Sequence, residues 1–400
     1  MCSEDRTSFG NIFGAWHGIE GILREELLNI SAQDRKEIEL LRTTPASGVL
    51  GTCRYKLKDN QDKDLARVLR IFEAHDIGYF FYIGGNDSQH TVMRVSKLCS
   101  EKGLSTICVG VPKTIDNDIG DSAFKLIDHT PGYGSVARYW ALNIQNLNEE
   151  NRGSSPSDPV MVVQAMGRKT GFIPAAARLA DPDREFPMQI YMAESGVSLP
   201  EIAENVNNYL LSYGRCIVVV SEGLDAGDLG EYKDAFGHSE YGASGTTVQQ
   251  RVVNHLNSKK LKARGTARGQ VPGTDQRHSM IYASDIDLDE AYRIGVQAVD
   301  IARKGENGWM ATMIRSEDKE YKVQYDQVPL EKVALSERFF PDDWIAKNRY
   351  DVTDGFIDYA KPLIGSDWVR IPIINGIQRF ARFKPYFADK KLPEYTPEAY

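Results

Sequence analysis

Residues 79–88, YFFYIGGNDS, and 106–120, TICVGVPKTIDNDIG, decide how this chain folds. Each is an apolar run, rich in aromatic and β-branched residues, that stops abruptly at a small, polar, charged loop. The first loop is Gly84-Gly85-Asn86-Asp87-Ser88, and the second is Pro112-Lys113-Thr114-Ile115-Asp116-Asn117-Asp118. Short runs of this composition predict buried parallel strands. A polar loop at the carboxyl end of each strand is how open α/β sheets bind ligands. Residues 62–76 precede the first run with apolar residues at helical spacing and charges on the other face. Residues 88–102 return as a helix between the two runs. This β-loop-α-β order predicts right-handed crossovers and a parallel sheet.

Working outward, the same unit recurs. Strands are expected at 160–165, 189–193, 216–220 and 262–270. Helices are expected at 131–145, 171–179, 199–213, 246–258 and 287–304, with a polar loop over 149–159. Residues 309–315 and 320–325 read as an antiparallel pair. Residues 1–60 are the least legible: a strand end near 13–19 and a short extended piece over 47–55. The fold class is α/β, with two Rossmann-like α/β/α domains and mainly parallel sheets. The boundaries expected are 1–123 with about 269–320 for one domain, 124–268 for the other, and 321–400 as a C-terminal extension packed on the core.

Bulk properties narrow the function. Of 400 residues, 42% are hydrophobic and 26% charged, ordinary values for a globular chain. A net charge of −8 disfavours a nucleic-acid binder, whose face would be basic. The basic, aromatic stretch 376–387 is better read as packed extension. No apolar run reaches the length of a membrane span, and the N-terminus lacks the apolar core of a secretory signal. Five scattered cysteines without CxxC spacing fit reduced thiols in a cytoplasmic protein. Seven dispersed histidines without an HExxH pair argue against a histidine-bound zinc.

The loops carry the chemistry. Gly84-Gly85-Asn86-Asp87-Ser88, between a strand and a helix, suits a phosphate cradle, because glycines let backbone N–H groups approach an anion. It is equally an ordinary turn sequence, and Asp87 would repel phosphate unless a metal or lysine intervenes. Asp116 and Asp118 would share one face of an extended backbone. Such a pair supplies a general base or holds Mg²⁺ through water, or is simply a capped turn of solvated aspartates. Lys113 supplies positive charge. Met166-Gly167-Arg168, Glu222, and the arginines Arg268 and Arg277 each follow a predicted strand. One such arginine is most simply a surface residue. Arg54, Arg168, Arg268 and Arg277 together would suit a multiply phosphorylated substrate.

The set GGNDS, PKTIDND, MGR, SEG and GTDQR, in this order and spacing, resembles the phosphofructokinase family over about residues 14–305, nearest its pyrophosphate-dependent branch. The resemblance implies phosphoryl transfer to the 1-hydroxyl of fructose 6-phosphate, with Mg²⁺. Asp116 matches the proton acceptor, flanked by the substrate-loop residues Thr114 and Asp118. Met166, Gly167 and Arg168 match a segment on the sugar phosphate, with Arg168 also placed to stabilise the transferring group. Glu222 matches a sugar-hydroxyl ligand, Arg277 a 6-phosphate ligand, and Arg268 an arginine that reaches across a subunit interface. The implied assembly is a homodimer or homotetramer. Arg54 matches the arginine bridging the donor phosphates, beside Gly84 and Gly85. ATP-using relatives have glycine at the positions of Asp87 and Lys113. The resemblance therefore implies that Asp87 excludes ATP and that Lys113 reaches toward pyrophosphate. Three positions depart from the family pattern. Asn86 stands where many members have an aspartate near Mg²⁺. Thr274 replaces a usual histidine or tyrosine. The family's first strand and Gly-rich loop are not seen, which predicts an unpaired sheet edge and a weakened donor site. The alternatives are an ATP-dependent sugar kinase of the same fold, and a regulatory subunit; the retained Asp116 argues against the latter.

Overall fold

The computed structural model describes residues 7–55, 57, 61–230, 245–318, 320–334 and 336–398. Its ten main strands are β1 (Phe13–Ala15), β2 (Leu27–Asn29), β3 (Tyr79–Gly84), β4 (Ile107–Pro112), β5 (Val160–Ala165), β6 (Met188–Tyr191), β7 (Cys216–Ser221), β8 (Ala267–Gln270), β9 (Trp309–Arg315) and β10 (Val323–Pro329). They form two four-stranded sheets and a small β1–β2 hairpin. The first sheet has the order β10-β9-β4-β3; β3, β4 and β9 are parallel and only β10 runs antiparallel. The second has the order β6-β7-β5-β8 and is parallel throughout. Sequence residues 309–315 thus return to the sheet begun at residue 79.

The reason β5 and β7 read as unbroken apolar runs is that helices cover both faces of their sheet. Every residue of both strands is buried. Alternate side chains go to opposite sides: Met161, Val163, Ala165, Ile217 and Val219 join one cluster, and Val160, Val162, Cys216, Val218 and Val220 the other. In the first sheet, Gly110 of β4 leaves room for Gln89; a Cβ there would lie 2.1 Å from Gln89 Oε1. Fully buried Gln89 donates to the carbonyls of Gly84 (2.9 Å) and Val111 (3.2 Å), bolting together the ends of β3 and β4.

Several expected elements differ. The polar stretch 149–159 is not all loop: helix Tyr133–Ser154 runs into it, because its buried face continues through Leu147, Asn148 and Asn151. Asn151 reaches past the helix end to the carbonyls of Asp158 and Pro159. Residues 47–55 hold no strand; they are turn and coil that fold back on the hairpin, with His17 N–H bonded to Leu50 O at 2.7 Å. Strand β8 is shorter than 262–270, starting only at Ala267 where pairing with Val160 begins. Among the described residues, β3 is an edge strand, and its Ile83 is 63% exposed. No helix among them is long and apolar enough to cross a membrane.

The last eighty residues are structural. Phe340, Phe356, Tyr359 and Leu363 enter the core of the second sheet. Their segment is tied down by Arg178, 1% exposed, which donates to Asp181 (3.0 Å) and to Asp351 (2.9 Å). Further on, Tyr386 O accepts from Asn29 N–H and Ala388 N–H donates to Leu27 O, so the tail pairs with β2. Burying an ion pair gains little over an apolar contact, but breaking one is costly. Replacing Arg178 by Met leaves Asp181 buried without its partner and Asp351 with only the partly exposed Arg184, 3.6 Å away. The expected loss is about 3–5 kcal/mol, read as a lower urea midpoint than the parent protein.

Candidate active site

The site is built where strand ends meet. The loop after β4 begins with Lys113, whose N–H bonds to Gly84 O at 3.1 Å, holding it beside the end of β3. Asp116 N–H donates to Thr114 Oγ1 (3.1 Å), and the same hydroxyl lies 3.3 Å from Asp116 Oδ2. The backbone is not extended here, as the Asp-Asn-Asp spacing had suggested. Asn117 lies in the left-handed region at φ 57°, a conformation that asparagine tolerates better than most residues. The two aspartates therefore do not simply share one face. Asp116 turns to Thr114, and Asp118 accepts from Asn86 Nδ2 at 3.0 Å. Asn117 itself points inward. It donates to Tyr359 OH (2.9 Å) and accepts from Thr130 N–H (3.0 Å) and Arg338 (3.4 Å).

The second sheet supplies the facing wall. Thr170 Oγ1 donates to Asp116 O at 3.1 Å, stitching the turn after β5 to the loop after β4. Gly167, at φ 111°, makes the turn between Met166 and Arg168. Gly223 approaches that turn so closely that a Cβ would lie 1.9 Å from Arg168 O. Ser221 Oγ donates to Gly167 O at 2.7 Å. Glu222, 9% exposed, follows β7 and bonds its N–H to Ala165 O, which sets it beside Met166. Gln276 brings in the helix Asp275–His278. Its Oε1 accepts from Met166 N–H (3.0 Å) and Trp140 Nε1 (2.9 Å), and its amide donates to Gly273 O (3.0 Å). The neighbouring Thr274 and Arg277 are exposed.

Charge is concentrated at the junction. Burial pushes the Asp116 carboxyl above the usual carboxylate range, against the pull of Thr114, Arg168, Lys113 and Arg277. Asp118 rises to about 7, through burial first and then the field of Asp116, with Arg338 opposing. Lys113 is open to solvent at the cleft, yet crowded enough that its ammonium is pushed down, by desolvation and then by Arg277; Asp116 opposes. These mutual effects bring Lys113, Asp116, Asp118, Arg168 and Arg277 within one electrostatic neighbourhood. Asp87 is exposed at the start of helix Asn86–Glu101, whose N-terminus no side chain caps. Both Asp87 and Asp118 act on Lys169, which is bonded to Glu337 at 2.7 Å.

The chain belongs to the phosphofructokinase family. The family model, "Phosphofructokinase", matches residues 4–302. A curated pyrophosphate–fructose 6-phosphate 1-phosphotransferase from Halomonas elongata is 33% identical over 98% of this chain and 93% of its own. One from Rhodospirillum rubrum is 35% identical over 88% and 86%. The crystal structure of a pyrophosphate-dependent phosphofructokinase from Marinobacter aquaeolei superposes with a TM-score of 0.86 at 32% identity, covering 99% of this chain and 94% of that one. The two parallel sheets with their facing loops are thus the phosphofructokinase fold.

Not every expected residue of this phosphofructokinase joins the cluster. Arg268 does not follow β8 but lies within it, paired with Met161 near the start of β5. The Met166–Arg168 turn lies beyond the other end of β5. Arg268 Nε instead meets Asp158 at 2.6 Å, on an exposed surface. Arg54 is exposed beside Cys53, which packs against the first core next to Tyr82 of β3, a phenol pushed up by burial first and then by Cys53. Conversely, Gln89, Asn117, Thr170, Gln276 and Arg338 hold the site yet carry no recognisable signal alone. Gln276 was the nearest to legible, lying inside GTDQR. Its replacement by Leu orphans two buried N–H donors, each worth about 1–3 kcal/mol. A lower melting temperature, with Trp140 more accessible to a fluorescence quencher, is the expected result.

Proposed function

We propose that this phosphofructokinase transfers a phosphoryl group reversibly from pyrophosphate to the 1-hydroxyl of fructose 6-phosphate, giving fructose 1,6-bisphosphate and phosphate. The observation that carries the reading is one carboxylate, Asp116, enclosed in the cleft within the fields of Lys113, Arg168 and Arg277. An enclosed carboxylate with a raised proton affinity suits a base, and three cations around it suit the spread of charge on a transferring phosphoryl group. Asp116 takes the hydroxyl proton. Lys113, Arg168 and Arg54 bear on the phosphoryl oxygens, with Gly84 and Gly85 letting the donor approach the uncapped helix start. Thr114, Asp118, Met166, Gly167, Glu222, Thr274 and Arg277 line the sugar-phosphate side, and fixing that phosphate orients the acceptor.

Mg²⁺ fits the donor side. Asn86 Nδ2 is committed to Asp118, which fixes the amide orientation, and Asn86 Oδ1 is left buried and unpartnered. That oxygen would be a hard ligand for a cation held chiefly by the donor's own oxygens. No group of three or more acidic, histidine or cysteine ligands exists among the described residues. When bound, the ion would neutralise charge on the phosphate oxygens. The exposed Arg268 supports a homodimer or homotetramer in which it serves a neighbouring subunit's sugar phosphate.

Donor choice rests on Asp87 and Lys113. The Asp87 carboxylate repels and crowds the α-phosphate of ATP, whereas Lys113 attracts the smaller donor. Purified protein is expected to convert fructose 6-phosphate with MgPPi and not with MgATP, and Asp87→Gly to gain ATP use. Activity with ATP alone would sink the reading; no gain in Asp87→Gly would remove its mechanism.

The base assignment predicts a pH profile. Burial holds the Asp116 carboxyl above the ordinary carboxylate range, and Asp118, itself raised to about 7, belongs to the same pair, so acid protonates the base before an ordinary aspartate would be protonated. For the free enzyme, kcat/KM should fall with decreasing pH at a higher pH than an ordinary aspartate would give, and Asp118→Asn should move that limb to lower pH. Asp116→Asn should lower kcat by ~10²–10⁴-fold while isothermal titration still detects fructose 6-phosphate binding.

A further inference from the structure

Behind the Asp116 loop lies a second set of ionisable groups that the transfer does not use. His129 is fully buried, and both its ring nitrogens meet carboxylates. Nδ1 is 2.8 Å from Asp128 Oδ2 and Nε2 is 2.8 Å from Glu290 Oε2. An ionised carboxylate only accepts, so both contacts are hydrogen bonds only when both ring nitrogens carry protons. The surroundings are balanced around that imidazolium. Tyr321 donates to Glu290 Oε1 at 2.6 Å, and Arg315 to Asp128 Oδ2 at 3.1 Å. Tyr359 OH (3.0 Å) and Arg338 (2.8 Å) donate to the Asp128 carbonyl. Asp287, held by Gly132 N–H at 2.7 Å and by Ser135, adds a third carboxylate in the field of His129. Three carboxylates (Asp128, Glu290, Asp287) therefore face three cations (His129, Arg315, Arg338). Burial alone would push the imidazole down; Glu290 and Asp128 outweigh it and hold it at about 9.

This cluster is joined to the loop by short bonds. Thr130 donates its N–H to Asn117 Oδ1 and its hydroxyl to Thr114 O, each at 3.0 Å. Thr114 N–H bonds to Pro131 O at 3.2 Å. Residues 128–131 are thus the bed on which 114–117 lies, and Glu290 anchors that bed to the helix Asp285–Arg303. We propose that His129 is a positioning residue for the phosphoryl transfer: clamped as a cation between Asp128 and Glu290, it fixes the bed that aims Asp116. The inference rests on the reading of Asp116 as proton acceptor. Without the imidazolium charge, Asp128 and Glu290 are left with one cation too few, and the bed separates from the helix.

The experiment compares wild type, His129→Gln and the double variant His129→Gln/Glu290→Gln in the pyrophosphate-dependent assay. The single variant loses the cation and should drop kcat by ~10–100-fold, the scale of a small misplacement, with a smaller change in KM for fructose 6-phosphate. The double variant also removes one carboxylate charge and should recover most of the loss. Wild-type kcat should fall as pH rises through about 9, a limb that the double variant lacks. Stability follows the same sign: the contribution is whole below the ordinary histidine value and is lost as pH rises through the folded value. The proposal is overturned if His129→Gln keeps wild-type kcat, or if the folded double variant is no better than the single one. Should both variants unfold, nitrogen-15 NMR of the wild type decides: a pair of slowly exchanging ring N–H protons at pH 8 is expected, and their absence overturns it. A wild type inactive with pyrophosphate would instead refute the underlying reading, and the NMR result would stand apart from it.

Discussion

The left-handed turn at Asn117 governs the site. It turns the backbone between two aspartates and sends the intervening amide into the protein, where Thr130, Tyr359 and Arg338 take three of its four hydrogen-bonding positions. A buried side-chain amide so bound is expensive to pull out, since each broken bond leaves a polar group dry. The turn therefore has little freedom to drift. Asp116 is presented to the cleft on one side and Asp118 to Asn86 on the other, and neither needs to order itself when substrates arrive. Preorganisation of this kind is where enzymes of phosphoryl transfer find much of their rate, because the protein has little covalent chemistry to perform.

Two opposing effects meet on Asp116. Burial raises its proton affinity, and the surrounding cations lower it. Burial wins here. A carboxylate so placed is a stronger base than one in water, and the cations limit how far that goes. In the proposed transfer the cations serve twice: the guanidinium and ammonium groups that lower the proton affinity of Asp116 would also offset charge on the phosphoryl oxygens. Removing any one of them would disturb both functions, so single substitutions at Lys113 or Arg168 cannot be expected to add independently.

Much of this was legible in the sequence. Strands β5 and β7 announced themselves because continuous apolar runs bounded by polar loops have few other uses. Helix Leu199–Tyr213 was framed by Ser198 and Pro200 at its start and Gly214 at its end. The loops PKTIDND and MGR were visible as interruptions of those runs. What stayed hidden were long-range partnerships. Nothing near Arg338 indicates that it will lie fully buried against Phe124 and bond to the carbonyls of Asp121 and Asp128. The helical continuation into 149–154 was masked by its polar composition, which tertiary burial of Asn148 and Asn151 overrode. Asn117 stands in the shadow of its two acidic neighbours, although asparagine is one of the few residues that readily takes a left-handed turn.

The pairing of the C-terminal tail with β2 has a consequence for how the chain is made. Glu25 is almost wholly buried, and receives Arg67, His75 and the backbone N–H groups of Lys391 and Leu392. The hairpin that holds it needs residues 386–388, and the first sheet needs β9 at residue 309 before β4 has a second neighbour. The second sheet needs nothing outside residues 160–270 for its strands. During synthesis the strands of the second sheet can therefore pair early, while the core on one of its faces closes only when Phe340, Phe356 and Leu363 arrive. The first sheet and its hairpin must wait longer, the earliest residues kept open until the last have emerged, because contacts separated by more than three hundred residues form only when both partners exist.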